Sequence, residues 1–413
     1  MTVGAWADAV SLGVVTSSVP RDVVDEALAV TGRGPQRSDG KLPPHVMVYY
    51  TLALALFADD DYEGVAGRLA GSWDDWGCWD EGWQVPSSGG ITQARRRLGH
   101  EPLRSVFERL ARPVAEPLTR GAFVGRWRLM AIDGCEWDAP DTAANVAAFG
   151  RSSGPRGESA FPKVRVVSIS ECGSHATVDA EIGGRVGKGT GEPALARRLY
   201  PRLQPDWLLM ADRNFYSFDD WQSAAATDAA LLWRVKANLR LPVLQPLADG
   251  SYLSVLTTSA TRRGSSRQQL VEAAGRGEPL DPAQATRVRV IEYQVPDREG
   301  RGTGETIRLI TTICDPTEAP AAELAEAYHQ RWEHETGNSQ LKTHLRGPGR
   351  VLRSKHPDTV RAEIYGYLLT HHAVSALICQ AATEADIDPD RVKFVRTVRL
   401  IRRSLTGPAA FSP

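Results

Sequence analysis

The sequence predicts a multidomain chain of mixed α and β structure: α/β in its core and α+β overall. The core is a mixed sheet interrupted by a β-rich insertion, with a helical N-terminal domain before it and a helical C-terminal tail after it. Three observations predict this. Apolar residues recur with helical spacing up to about residue 120, and with strand-like runs from about residue 125. Three such runs, a helix and a further strand precede Asp212, an order that suits a mixed sheet with helices on its faces. Finally, 123 positions separate Asp212 from Glu335, far more than one strand-to-helix connection needs.

In the first region, residues 1–120, helices are expected near Arg21–Val30, His45–Phe57, Tyr62–Leu69 and Pro102–Leu118. Pro86-Ser87-Ser88-Gly89-Gly90 reads as a turn, followed by a helix whose first turns carry Arg95, Arg96 and Arg97. The first part of the core, 121–230, holds strands at Arg126–Ile132, Val164–Ser170 and Ala176–Ile182, a helix at Glu192–Leu203, and the strand Trp207–Ala211. The insertion, 231–315, holds Leu231–Val235, Tyr252–Leu256, Arg287–Tyr293 and Thr306–Cys314, with a Gly/Ser-rich loop around Arg262 and Arg263. The core resumes over 316–380 with an amphipathic helix at Pro357–Gln380, and 381–413 is a basic tail.

Bulk properties narrow the class. At 413 residues with 42% hydrophobic content, the chain has the composition of a soluble globular protein of several structural units. Its longest mostly apolar run, Met47 to Ala58, is too short to span a bilayer, and the N-terminus lacks the basic region of a secretory signal. The five cysteines are scattered without a C-x-x-C pair, which favours reduced thiols over zinc or disulfides, and Cys135 reads as packing. No P-loop, dinucleotide fingerprint or nucleophile elbow is present, so no nucleotide cofactor is expected. Net charge is −1, yet Arg391 to Arg403 holds six basic residues in thirteen, with Phe394, Val398 and Ile401 at helical apolar spacing. Of the 49 basic residues 42 are arginine, which coding bias largely explains, but the tail is placed where phosphate neutralisation is useful.

The most informative stretch is AEAYHQRWEHETGNSQLKTHLRG. Tyr328, Arg331, Glu335 and Lys342 stand at i, i+3, i+7 and i+14, which on one straight helix puts all four on a narrow stripe. A guanidinium, an ammonium and a phenol able to hold phosphate then flank one carboxylate able to hold a metal. The plainer reading is a solvated face in which Arg331 and Glu335 attract one another at i, i+4. Two upstream aspartates favour the site. Asp133 and Asp212 each end an apolar strand-like run, where a metal doing phosphoryl chemistry needs rigid carboxylates.

These residues resemble those of DDE transposases of the insertion-sequence-four family, defined by the motif Y-x2-R-x3-E-x6-K. Tyr328, Arg331, Glu335 and Lys342 match it without a gap; IDG with PDTAAN, and ADRNFYS, resemble the two aspartate blocks. Asn214 departs from the small residue usual in the second block. The resemblance spans roughly residues 40 to 380. It implies a ribonuclease-H-like core, with Asp133, Asp212 and Glu335 as catalytic and metal-binding triad, holding two Mg²⁺ ions or Mn²⁺ in their place. It implies Tyr328, Arg331 and Lys342 as contacts to DNA phosphates, and an N-terminal domain that binds element ends. Arg95, Arg96, Arg97, Arg213 and Lys236 are further candidate DNA contacts. The implied activity is cut-and-paste transposition of an insertion sequence: end nicking, a hairpin intermediate and strand transfer. Its partners are double-stranded DNA, as terminal inverted repeats and target, and a second copy of the chain in a synaptic complex. The location would be the cytoplasm, at the bacterial nucleoid. The alternatives are an inactive or domesticated DNA-end-binding repressor and a metal-dependent nuclease without strand transfer.

Overall fold

The computed structural model describes residues 18–34, 42–73, 85–154, 157–261, 265–295, 305–347 and 349–404; the side chains of residues 70–73, 332–335 and 404 lie outside that description. The helical N-terminal region comprises α1 (Arg21–Val30), α2 (Pro44–Leu56), α3 (Tyr62–Trp73), α4 (Ser88–Leu98) and α5 (Glu101–Leu110). Helix α2 is apolar on every side and opens with a proline at its first turn, where the missing N–H is harmless. It is correspondingly buried on most of its surface. Helix α4 is capped by the Ser87 hydroxyl, which accepts from the Gly90 N–H. Helix α5 stops well before the expected Leu118, because the chain leaves helical geometry at Ala111 ahead of Pro113.

The core is built on β2 (Trp127–Asp138). It pairs antiparallel with β5 (Lys163–Glu171), which pairs antiparallel with β6 (Thr177–Gly183). On its other side β2 is parallel to β7 (Trp207–Ala211), and β7 is parallel to β8 (Ala230–Arg234). Counted in chain order these five strands lie 3-2-1-4-5, the ribonuclease-H-like arrangement. Strand β8, assigned from sequence to the insertion, is therefore a core strand. The short β1 (Phe123–Val124) pairs with β2, and β3 (Ser153–Gly154) with β4 (Gly157–Glu158) form a separate ribbon.

The insertion is β-rich, as expected, and it continues the core sheet. From β8 the order runs on through β12 (Glu305–Thr311), β11 (Ala285–Val295), β10 (Tyr252–Thr257) and β9 (Gln245–Pro246), all antiparallel. It also carries helix α9 (Ser265–Gly275). The buried guanidinium of Arg289 on β11 bonds Ser251, Asp249 and the Ala319 carbonyl, tying the added strands to the segment that re-enters the core.

The alternation of side chains along β2 and β7 decides which helices cover which face. Met130, Ile132, Leu209 and Ala211 pack with α7 (Glu192–Leu199) and α8 (Phe218–Ala225). Leu129, Ala131, Leu208 and Met210 pack with α10 (Ala321–His329) on the other face. Beyond α10 come α11 (Arg331–Ser339), a π-helical turn over Gln340–Leu345, the long α12 (Pro357–Glu384), and α13 (Phe394–Ser404). Helix α12 is the axis around which α2, α5 and α13 gather; Phe394, Val398 and Ile401 of α13 are buried as their spacing predicts. The remaining helix, α6 (Ala143–Phe149), is capped by Thr142.

Candidate active site where the parallel strand pairing ends

Asp133 does not end its strand. β2 runs on to Asp138 because β5 continues to pair with it, Asp133 lying opposite Ser168. What ends there is the parallel pairing: Ile132 opposite Ala211 is its last pair, so Asp133 and Asp212 follow it on neighbouring strands, which stand about 4.8 Å apart in a sheet. Gly134 sits inside β2, where a Cβ would fall 2.8 Å from the Glu192 side chain. Each aspartate caps its own backbone: Asp133 accepts from Gly134 N–H at 2.7 Å and Asp212 from Arg213 N–H at 2.6 Å.

Strand alternation puts Asp133 and Asp212 on the face covered by α10, since each comes two residues after a side chain packed there, Ala131 and Met210. Tyr328 of α10 is buried above them, and its hydroxyl donates to the Ala211 carbonyl at 3.4 Å. The guanidinium of Arg331, also buried, stands 4.0 Å from an Asp133 carboxylate oxygen and 5.7 Å from the centre of the Tyr328 ring. Burial lifts the Asp133 carboxyl above its usual range; Gly134 N–H and Arg331 oppose the rise, the Asp212 charge adds to it, and Lys342 lowers it. Burial also pushes the Tyr328 phenol well up, against the Arg331 charge. Asp133, Asp212, Tyr328, Arg331 and Lys342 thus act on one another in one place.

The backbone of Glu335 lies in α11, and its side chain is outside the described residues, as is that of Trp332. The motif is not carried by one straight helix as the spacing suggested. The chain tightens at Gln330, whose N–H bonds the Ala327 carbonyl three residues back, and widens over Gln340–Leu345. Wide turns of this kind are frequent at functional sites. Here Gln340 has two partners: its side-chain nitrogen is 3.0 Å from His175 Nδ1 and its oxygen 3.2 Å from His371 Nε2. Leu341 and Leu345 are buried on the same turn.

Of the other candidate DNA contacts, Arg95 is corrected by the structure. The three arginines occupy the last turn of α4, not its first turns, where the helix dipole favours cations. Arg95 is only 3% exposed, bonding Tyr62 Oη at 2.6 Å and Ser354 Oγ at 2.8 Å, so it ties α4 to the chain before α12. Arg95→Ala is therefore expected to lower unfolding stability by about 1.5–3 kcal/mol, the worth of charged hydrogen bonds, in urea denaturation. Reduced DNA affinity at unchanged stability would make Arg95 a DNA contact after all. Arg96, Arg97, Arg213 and Lys236 are exposed, and Arg213 stands 3.7 Å from Glu305. Arg262 and Arg263 lie outside the described residues.

One acid near the site carries no sequence signal beyond its place at a helix start. Glu192, in the first turn of α7, lies against Gly134; burial raises its carboxyl, Arg165 at 3.8 Å opposes that, and the Asp133 charge adds to it. Cys135 is buried, accepting from the Trp137 indole at 3.1 Å, which bears out a packing role. His371 and His372 face different partners, Gln340 and the Arg112 backbone. Among the described residues no group of three acid, His or Cys side chains is placed to hold a metal, and no helix is long and apolar enough to cross a membrane.

The ribonuclease-H-like sheet, with Asp133 and Asp212 beneath a Tyr- and Arg-bearing helix, sets the class of fold. Comparison with known proteins narrows it. The family model described as "Transposase DDE domain" matches residues 127–371, and the model "Insertion element 4 transposase N-terminal" matches residues 9–108. The chain belongs to the insertion-sequence-four family of DDE transposases. It is 26% identical over 395 residues to the transposase InsG for insertion sequence element IS4 of Escherichia coli (strain K12), covering 95% of this chain and 82% of that one. It is 26% identical over 142 residues to the putative transposase InsZ of the same organism, covering 34% of this chain and 46% of that one. Among solved structures it is similar to a piggyBac transposase synaptic complex with hairpin DNA, at 11% identity and a TM-score of 0.45, covering 98% of this chain and 80% of that one.

Proposed function

We propose that this transposase excises and joins an insertion sequence by cut-and-paste chemistry at a site formed by Asp133, Asp212 and Glu335. The observation that carries the reading is the placement of Asp133 and Asp212 on one face, at the end of the last parallel pair, beneath Tyr328 and Arg331. The two carboxylates suit a hard divalent cation. The one hydrogen bond described to each is from the following backbone N–H, and their mutual charge helps to raise the Asp133 carboxyl. Asp133, Asp212 and Glu335 would hold Mg²⁺, with Mn²⁺ able to substitute. When bound, such ions lower the pKa of a water and offset charge on the leaving oxygen.

The chain's own residues supply grip and alignment. Arg331 is positioned by the Tyr328 ring and aimed at the Asp133 edge, where a phosphate oxygen would take up its fork. Lys342 adds a point charge from the π-helical turn. Tyr328 holds the α10 end of the motif against the Ala211 carbonyl. Cleavage and joining are both in-line displacements at phosphorus, differing only in whether water or a 3′-hydroxyl attacks, so one set of residues serves each step; a hairpin arises when the attacked strand is the opposite one. A dimer that synapses two ends at the nucleoid fits this sequence of steps.

The test is strand joining. Pre-cleaved duplexes bearing the inverted repeats that flank the reading frame, incubated with supercoiled plasmid and Mg²⁺, are expected to give covalent end-to-plasmid products. Nicking without joining would assign a nuclease instead, and binding without either would assign a repressor.

A further inference from the structure

α13, the end of α11 with its π-helical turn, and the turn between β5 and β6 enclose an open cleft of about 950 Å³. One wall is the helix that carries the Glu335 backbone and the turn after it: Thr336 and Ser339 line it with hydroxyl donors, beside His344. The facing wall is basic. Lys393 precedes α13, and Arg396 and Arg399 stand three residues apart on one face of it, while Phe394, Val398 and Ile401 anchor its other side in the core. The floor is built: His175, 8% exposed, bridges Gln340 and Asp390, at 3.0 Å to each. Asp390, the one acid lining the cleft among the described residues, is thereby engaged.

Several arginines of the sheet and of α7 pair with a carboxylate, as at Arg128–Glu171, Arg165–Glu136, Arg197–Asp220 and Arg308–Glu292. Lys393, Arg396 and Arg399 are exposed and make no ion pair among the described residues. Like charges held this close repel, and a polyanion laid between the walls would relieve them while the hydroxyls opposite donate to its free oxygens. From Lys393 to Arg399 the helix rises about 9 Å, roughly the axial length of three nucleotides at 3.4 Å each.

We propose that this cleft is a second phosphate track, holding the backbone of duplex DNA through Lys393, Arg396 and Arg399 without reading its sequence. The inference rests on the reading of DNA as the substrate. It gives the protein a grip on α13, facing the helix that carries the Glu335 backbone across the cleft.

The test is the salt dependence of duplex binding, followed by fluorescence anisotropy from 50 to 200 mM KCl with an end duplex and a scrambled duplex. The combined variant Lys393→Ala, Arg396→Ala, Arg399→Ala is expected to lower the log–log slope by about 3, close to 0.9 for each phosphate no longer neutralised. Affinity at the upper salt concentration should fall about 10- to 100-fold on both duplexes alike. Cleavage within the saturated complex should stay within about twofold of wild type, and Arg396→Lys with Arg399→Lys should keep the wild-type slope. Arg399→Ala alone should lower the slope by about 1, guarding against a misfolded triple variant. An unchanged slope in these variants overturns the track, as does a loss confined to the end duplex. Competition by inorganic phosphate at constant ionic strength would assign a small-anion site and overturn it too. A wild-type protein that binds neither duplex overturns the DNA reading itself, a result distinct from those.

Discussion

Asp133→Asn, Asp212→Asn and Glu335→Gln, each made singly, are expected to lower end cleavage by at least about 10³-fold while leaving duplex binding within a few-fold of wild type. Each change keeps the shape of the side chain and removes one negative charge from the proposed metal site. A metal that stabilises the transition state by several kcal/mol is then held less well, and about 4 kcal/mol corresponds to three decades in rate. Binding should survive, because the phosphate-gripping groups Arg331 and Lys342 remain and Asp133 no longer competes with DNA for the guanidinium 4.0 Å away. Raising Mg²⁺ or substituting Mn²⁺ should recover part of the Asp212→Asn rate if the loss is one of metal affinity. The readout is single-turnover cleavage of a labelled end duplex beside a gel shift on the same preparation. Wild-type cleavage by any of the three removes that residue from the triad.

The largest expected loss of stability lies away from the chemistry. Glu171, at the end of β5, is fully buried and accepts from the backbone N–H groups of Val114 and Ala115, at 3.0 and 2.9 Å, from the Ser174 hydroxyl and from the Arg128 guanidinium. It fastens the chain that leaves the N-terminal helices to the strand that carries Asp133. Glu171→Ala strands a half-buried guanidinium and two backbone donors, and breaking a buried pair from one side costs about 3–5 kcal/mol. Urea denaturation should show that loss, and Glu171→Gln, which keeps the acceptor oxygen, should lose less. Equal stability of Glu171→Ala and wild type would show that the pair contributes nothing.

Much of the candidate site was proposed from the sequence because its signals are local. The apolar runs before Asp133 and Asp212 both form the expected strands, although β2 runs on past Asp133 while β7 stops just before Asp212. The spacing of Phe394, Val398 and Ile401 foretold the buried side of α13. The misses share one cause. Arg95 read as a surface cation, because nothing nearby announces that Tyr62 and Ser354 will close around it. Glu192 gave no sign of reaching Gly134, 58 positions away. Helices α6, α8 and α9 were not foreseen; α6 and α8 are short and owe their starts to caps at Thr142 and Ser217.

The order of the core strands up to Asp212, the identity of the acids and the alternation of side chains within each strand were set by the sequence alone. The tertiary structure alone decided that the inserted strands extend the core sheet, that the motif helix tightens at Gln330 and widens at Gln340, and that a basic cleft opens beside it. Each of those depends on which groups meet across long stretches of chain. Meetings of that kind are selected by the packing of the whole molecule, and no window of neighbouring residues encodes them.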